Sequence, residues 1–272
     1  MRTWVNGHVL AAPDEAVVSV LDHGLTVGDG AFETIKAVGG VPFALTRHLD
    51  RIARSLHGLG LTPPADAWLR EGVAAVLAGQ PVDLRVRITV TAGPAPLGSE
   101  RGDSGLTVAI ASAPLGDWPD STAIATVPWP RNERGALAGL KTTSYAENVV
   151  ALARAHASGA SEAICANTAG LLCEGTGSNI FYVLDGEVVT PTLASGCLAG
   201  VTRALVLEWS GGVERDAPLS VLREADEIFL ASTTRDVQGV HACDDRQLDA
   251  PGPITAAVRK TWDERSAADV DP

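Results

Sequence analysis

The sequence predicts a mixed α/β (α+β) protein of two domains, on three observations. Residues 83–91 alternate strictly, with Leu84, Val86, Ile88 and Val90 against Arg85, Arg87, Thr89 and Thr91, the period of a strand with one buried face. From Thr46 the period changes, and Leu49, Ile52, Ala53, Leu56 and Leu59 recur at intervals of three and four, as on one face of a helix. Residues 113–120 then bring two prolines, a glycine and a change of texture, the marks of a linker. The division that follows is a small N-terminal domain over 1–113, a linker over 114–121, and a larger C-terminal domain over 122–272.

Taken in order, Trp4-Val5-Asn6-Gly7-His8-Val9-Leu10 sets Asn-Gly between β-prone flanks, a hairpin signal. Gly28-Asp29-Gly30 is a turn feeding a strand that Gly39-Gly40 sends back. It lacks the Walker spacing and a preceding strand, so it is not a phosphate loop. The helix from Thr46, with Thr46 as its N-cap, ends at Gly58, Gly60 and Pro63-Pro64. Arg47, His48, Asp50, Arg51 and Arg54 fall mostly off its apolar stripe. A second helix over 65–78 buries Leu69, Val73, Val76 and Leu77, and a loop over 93–102 leads to a strand over 106–112. Beyond the linker come a strand over 123–127 and a helix over 145–157 with Val149, Leu152, Ala153 and His156 on one side. A strand over 162–166, a turn over 167–170 and a hairpin across Asp185-Gly186 follow, then a helix over 201–210 and an apolar strand over 228–231. Residues 264–272 read as a frayed polar end.

Composition narrows the function. A chain of 272 residues can bury about 70–75% of its unfolded surface, enough for a real core. A net charge of −12 argues against nucleic acid or anionic membrane as partners, so any anionic ligand must be held by local donors. No apolar run nears the roughly 18–20 residues of a membrane span, and the first residues lack a signal-peptide core. Cys165, Cys173, Cys197 and Cys243 form no CxxC pair and the six histidines no metal-ligand spacing. Buried thiols in a reducing cytoplasm, and no protein-held metal, are expected.

The chemistry centres on Gly139-Leu140-Lys141-Thr142-Thr143-Ser144-Tyr145. Lys36, Lys141 and Lys260 are the only lysines, against eighteen arginines, and Lys141 follows an apolar approach (Ala136, Leu137, Ala138, Leu140). An amine in apolar surroundings loses solvation as a cation and becomes nucleophilic, as a Schiff-base lysine requires. Taken alone, this one position favours an ordinary lysine at a strand-to-helix junction. Glu174 sits in the glycine-rich turn Cys173-Glu174-Gly175-Thr176-Gly177-Ser178-Asn179. Gly200-Val201-Thr202-Arg203 opens a helix, whose free amides and threonine hydroxyl form an anion site. Ser232-Thr233-Thr234 ends a buried strand with further hydroxyls, and Arg51 offers a fixed charge and a bidentate fork.

This spaced set, with Gly28-Asp29-Gly30, Phe32-Glu33 and His48-Leu49-Asp50-Arg51, resembles the fold-type IV pyridoxal-phosphate enzymes. They include branched-chain and D-amino-acid aminotransferases and 4-amino-4-deoxychorismate lyase. The resemblance runs from Val5 to at least Val240. It implies a small N-terminal α/β domain and a larger, β-rich C-terminal α/β domain with pyridoxal 5'-phosphate between them, and a homodimer. It also implies that Lys141 holds the cofactor covalently and moves the substrate proton, and that Glu174 faces the pyridine nitrogen. Arg51, the Val201 and Thr202 amides, the Thr202 hydroxyl, Ser232 and Thr233 would hold the phosphate, and Leu198 would pack against the ring. Phe32 stands where D-amino-acid aminotransferases often carry tyrosine. Arg85, Arg87 and Arg101 are the candidates for the substrate carboxylates. The run from Lys141 to Asn148 and the loop over 93–102 resemble bacterial sequences assigned to the lyase, and the branched-chain pattern of glycines and Asn-Tyr after the lysine is absent. The expectation is therefore a lyase that releases 4-aminobenzoate and pyruvate from a small-molecule amine. The alternative is an aminotransferase for D- or branched-chain amino acids. A non-catalytic cofactor-binding protein is the reading of a different class, and the presence of both Lys141 and Glu174 speaks against it.

Overall fold

Strands that each carry one apolar face need a partner layer, and the chain supplies one in each of two units. The computed structural model describes residues 1–12, 15, 17–80 and 82–272. One unit comprises Met1–Gly116, Leu140–Tyr145 and Val270–Pro272; the other comprises Asp117–Gly139 and Ala146–Asp269.

The first unit holds strands β1 (Arg2–Val5), β2 (His8–Val9), β3 (Gly30–Val38), β4 (Val41–Pro42), β5 (Leu84–Thr91) and β6 (Thr107–Pro114). With them come a single turn α1 (His23–Thr26) and helices α2 (Leu45–Gly58) and α3 (Asp66–Leu77). The sheet order is β2-β1-β6-β5-β3-β4, with neighbours antiparallel. Leu84, Val86, Ile88 and Val90 of β5 are buried, as their alternation requires, in a core shared with Trp4, Ile35, Ile52, Leu56 and Val73. Asn6 and Gly7 take the positive φ values (46° and 96°) that a two-residue hairpin turn demands.

Three expectations change here. Thr46 is not the cap of α2: Ala44 occupies that position in left-handed conformation, with no side-chain cap bond. The Thr46 amide and hydroxyl donate instead to Asp271 at 2.8 and 2.6 Å, and Arg47 donates to the Pro272 carbonyl. These last residues are therefore tied down rather than frayed. His48 and Arg51 also lie inside, 1% and 6% exposed, because a buried carboxylate on β3 meets them.

The second unit carries β7 (Ser121–Thr126), β8 (Glu162–Ala166), β9 (Leu172–Gly175), β10 (Asn179–Leu184) and β11 (Glu187–Thr190). It continues with β12 (Val213–Glu214), β13 (Glu227–Ser232), β14 (Asp236–Cys243) and β15 (Arg246–Gln247), and helices α4 (Ala146–Ala157), α5 (Val201–Ser210) and α6 (Pro253–Ala268). The sheet runs β12-β11-β10-β13-β14-β7-β8-β9, with β15 on β14. The β11–β12, β14–β7 and β7–β8 pairs are parallel. Nearly continuous apolar runs in β10 and β13 fit strands covered on both faces, and Phe181 stacks on Phe229 with centroids 4.8 Å apart.

The inward face of α4 differs from the expected one. Asn148 and Ala155 are buried, whereas Val149 is 63% exposed and His156 is exposed. The small Ala155 packs among Ala125, Ala160 and Ala163, and Asn148 turns inward to a backbone carbonyl. The four cysteines are buried and unpaired. No helix among the described residues is long and apolar enough to cross a membrane. Phe181→Ala should cost about 3–5 kcal/mol, as for other buried aromatic truncations. A lowered urea midpoint with unchanged slope is the expected result.

Candidate functional site

In the first unit, the Lys141 backbone is fixed from two sides. Its carbonyl accepts from Phe32 N–H at 3.0 Å and its amide donates to Ser55 Oγ at 3.1 Å. Thr142 forms a β-bridge with Ala31, and the Thr143 amide reaches the Gly30 carbonyl at 2.8 Å. Gly28-Asp29-Gly30 makes room for this segment. A Cβ at Gly28 would lie 2.7 Å from Ser144 Oγ, and one at Gly30 would lie 2.6 Å from the Val90 carbonyl oxygen.

Lys141 Nζ stands 4.4 Å from the centroid of the Phe32 ring and 5.8 Å from that of Tyr145, and the two rings meet edge-on at 5.1 Å. The Arg87 guanidinium lies over the Phe32 ring at 3.4 Å. The sequence-derived residues Lys141, Phe32 and Arg87 thus come together, with Tyr145 added. Arg85 sits one step along the same strand face, opposite Lys36, and is exposed. Arg101 is held elsewhere, by both Asp29 oxygens at 2.7 Å and by the Leu59 carbonyl.

Glu33 faces the other side of β3, in phase with the buried Ala31, Ile35 and Ala37. Arg51 Nε and Nη2 each donate to it at 2.7 Å, and His48 Nδ1 lies 2.8 Å from Oε2. Burial alone would raise the Glu33 pKa, but the Arg51 charge and hydrogen bonds, with the His48 bond, hold it well below the usual carboxylate range. Burial is also the main cause that lowers the His48 pKa, against the pull of Glu33. Arg51 therefore presents a guanidinium whose plane is set by Glu33.

In the second unit, Glu174 Oε2 accepts the Leu198 amide at 2.9 Å, and Oε1 lies 3.4 Å from Arg131 Nε. Arg131 Nη1 donates to Asn148 Oδ1. The Leu198 carbonyl accepts from Asn179 Nδ2 at 2.9 Å. Position 200 must be glycine, since a Cβ there would meet Asn179 Oδ1 at 1.9 Å. The Ala204 amide returns to the Gly200 carbonyl, so the amides of Val201, Thr202 and Arg203 precede the first intrahelical donor and face out of the helix start. Thr202 is buried, and Ser232 and Thr233 are half-buried at the end of β13.

Sequence reasoning missed Glu33, His48, Tyr145, Arg131 and Asn148. The signal for Glu33 was present: a carboxylate in phase with an apolar strand face demands a cationic partner. Arg131 and Asn148 are scattered along the chain, and only folding makes them neighbours of Glu174.

Each unit separately offers groups of the kind a phosphorylated pyridine aldehyde takes: the first, an amine on a fixed backbone; the second, a carboxylate held by an amide and a guanidinium, and a helix start with a threonine hydroxyl. Both Glu33 and His48 have folded pKa values below their unfolded ones, so their stabilisation is present above the unfolded pKa and lost as pH falls. Stability should decline as pH drops through 6.5 for His48 and again below 4.5 for Glu33. The gap in urea midpoint between wild type and Glu33→Gln should accordingly narrow below pH 4.5.

A family profile for amino-transferase class IV matches residues 30–243. The "Putative branched-chain-amino-acid aminotransferase" of Methanocaldococcus jannaschii is 33% identical, over 96% of this chain and 95% of its own length. The D-alanine aminotransferase of Bacillus licheniformis is 28% identical, over 95% of each chain. The branched-chain aminotransferase of Thermoproteus uzoniensis, solved with norvaline, superposes with a TM-score of 0.88 at 31% identity, covering 97% of this chain and 94% of that one. A "Putative 4-amino-4-deoxychorismate lyase" from Legionella pneumophila shares the fold at 22% identity, with a TM-score of 0.86 over 93% of this chain and 96% of that one. On the profile match and on whole-length similarity above 30%, the protein belongs to the class IV aminotransferase family, as a pyridoxal-phosphate-dependent enzyme of its fold.

Proposed function

We propose that the protein is an aminotransferase that moves an amino group from a branched-chain or D-amino acid to a 2-oxo acid. The observation that carries this reading is the whole-length similarity to proteins named for those two activities. The lyase expected from the run after Lys141 and the loop over 93–102 is matched by a structural likeness at 22% identity, which speaks for fold alone.

Each residue has a task in this reading. Bound pyridoxal phosphate supplies an electron sink beside the substrate's amine-bearing carbon. Lys141 Nζ would hold the cofactor and, as a free amine, would accept the proton from that carbon. Its place beside the Phe32 and Tyr145 rings limits the water around it. Glu174, gripped by the Leu198 amide and Arg131, keeps a fixed negative charge for the pyridine nitrogen. The Val201 and Thr202 amides, the Thr202 hydroxyl, Ser232 and Thr233 take the phosphate, and Arg51 adds a guanidinium aligned by Glu33. Leu198 would pack against the ring. Arg87 is the favoured partner for the substrate carboxylate, since it shares the Phe32 ring with Lys141. Arg85 is a weaker candidate, and Arg101 would first have to leave Asp29. The homodimer and the cytoplasmic setting belong to the same reading, and sedimentation tests the former.

Incubation of 2-oxoglutarate with either L-leucine or D-alanine should give amino exchange, and Lys141→Ala should abolish it together with borohydride-trapped cofactor on the chain. Pyruvate release from 4-amino-4-deoxychorismate alone, without exchange, would overturn the proposal in favour of the lyase. Arg87→Gln should raise KM for the amino acid by about 10-fold or more, as expected for a charge-assisted carboxylate contact of about 1.5–3 kcal/mol, while cofactor uptake stays near wild type.

A further inference from the structure

Glu162, at the start of β8, is 2% exposed and is used by none of the roles above. Its carboxylate gathers the turn that follows Glu174. Oε1 accepts the Thr176 amide at 2.9 Å and the Thr176 hydroxyl, and Oε2 accepts the Gly177 amide at 3.3 Å and the Ser178 hydroxyl at 2.9 Å. Arg235, itself buried, stands 3.9 Å from Oε2. Glycine at 175 admits the carboxylate, since a Cβ there would come within 3.1 Å of the Glu162 side chain and 2.6 Å of Ser178 Oγ. The turn is held from the other side as well, where Asn148 Nδ2 donates to the Thr176 carbonyl at 2.6 Å.

The turn joins the two residues that grip Leu198, Glu174 before it and Asn179 after it. Its shape thus sets the spacing between the Glu174 carboxylate and the start of α5. We propose that Glu162 is a positioning residue for cofactor binding: it fixes the turn over 175–178 so that Glu174, Leu198 and the α5 amides keep one geometry. Three backbone N–H groups point at Glu162 from fixed directions, those of Ala163 and Thr176 toward Oε1 and that of Gly177 toward Oε2. A carboxylate accepts on both oxygens, whereas a glutamine amide accepts on only one and sets its NH2 against the other N–H.

The role rests on the pyridoxal-phosphate reading of the site, and the test separates the two. Apo protein is titrated with pyridoxal 5'-phosphate, and amide hydrogen exchange is followed in the apo state. Glu227→Gln is the control. Glu227 is an equally buried carboxylate of the same unit that accepts the Ile254 and Thr255 amides at the start of α6, away from the turn. Glu162→Gln should weaken cofactor affinity by about 10- to 100-fold, the range seen when an outer partner of a liganding group is lost. It should also speed exchange at the Thr176, Gly177 and Leu198 amides. Glu227→Gln should lower the unfolding midpoint without changing either. If Glu162→Gln fails to fold, Glu162→Asp, which keeps the charge but reaches less far, should show an intermediate loss. Unchanged affinity and exchange in the Glu162 variants, or an equal loss of affinity in Glu227→Gln, would overturn the role alone. A wild-type chain that takes up no cofactor would overturn the reading of the site and this role with it.

Discussion

A carboxylate taken out of water has to be surrounded by donors, and each unit is arranged around one. In the first, Glu33 draws Arg51 and His48 off the surface of α2 and into the space below β3. In the second, Glu162 draws two amides and two hydroxyls from one turn. An ionised group buried without such partners would lose several kcal/mol of solvation, so neither arrangement tolerates partial assembly. The apolar cores supply most of the stability, but these two groups decide where particular side chains and amides point.

The fold was largely legible in the sequence because period is a direct consequence of burial. The alternation of β5, the Asn-Gly and Asp-Gly hairpins and the stripe of α3 all appear where the pattern put them. The failures have a common cause. Thr46 and His48 were read from local rules, a cap preference and an apolar stripe, and both were redirected by partners distant in the chain, Asp271 and Glu33. The expected apolar face of α4 gave way for the same reason. Asn148 is drawn inward by two partners distant in the chain, accepting from Arg131 and donating to the Thr176 carbonyl, and the neighbouring Val149 is left outside.

The candidate site was legible in part. Lys141 stood out by rarity and setting, Glu174 and the helix start at Val201 by their glycine-rich approaches. Among the three arginines proposed for substrate, geometry separates what composition could not: Arg87 lies on the Phe32 ring, whereas Arg101 is already engaged. Arg131 carries no local signal at all. Its surroundings, Asn148 and Glu174, lie 17 and 43 residues further along the chain.

The Leu198 peptide is gripped at both ends, its amide by Glu174 and its carbonyl by Asn179, with Gly200 pressed against the same asparagine. The backbone there is ordered by the fold before any ligand arrives. The entropy of arranging those donors is thus lost during folding rather than during binding, and more of the interaction energy is left to appear as affinity. The same arrangement makes the region unforgiving: a side chain added at position 200 would meet Asn179 of β10 and Arg203 of α5 at once, not one contact.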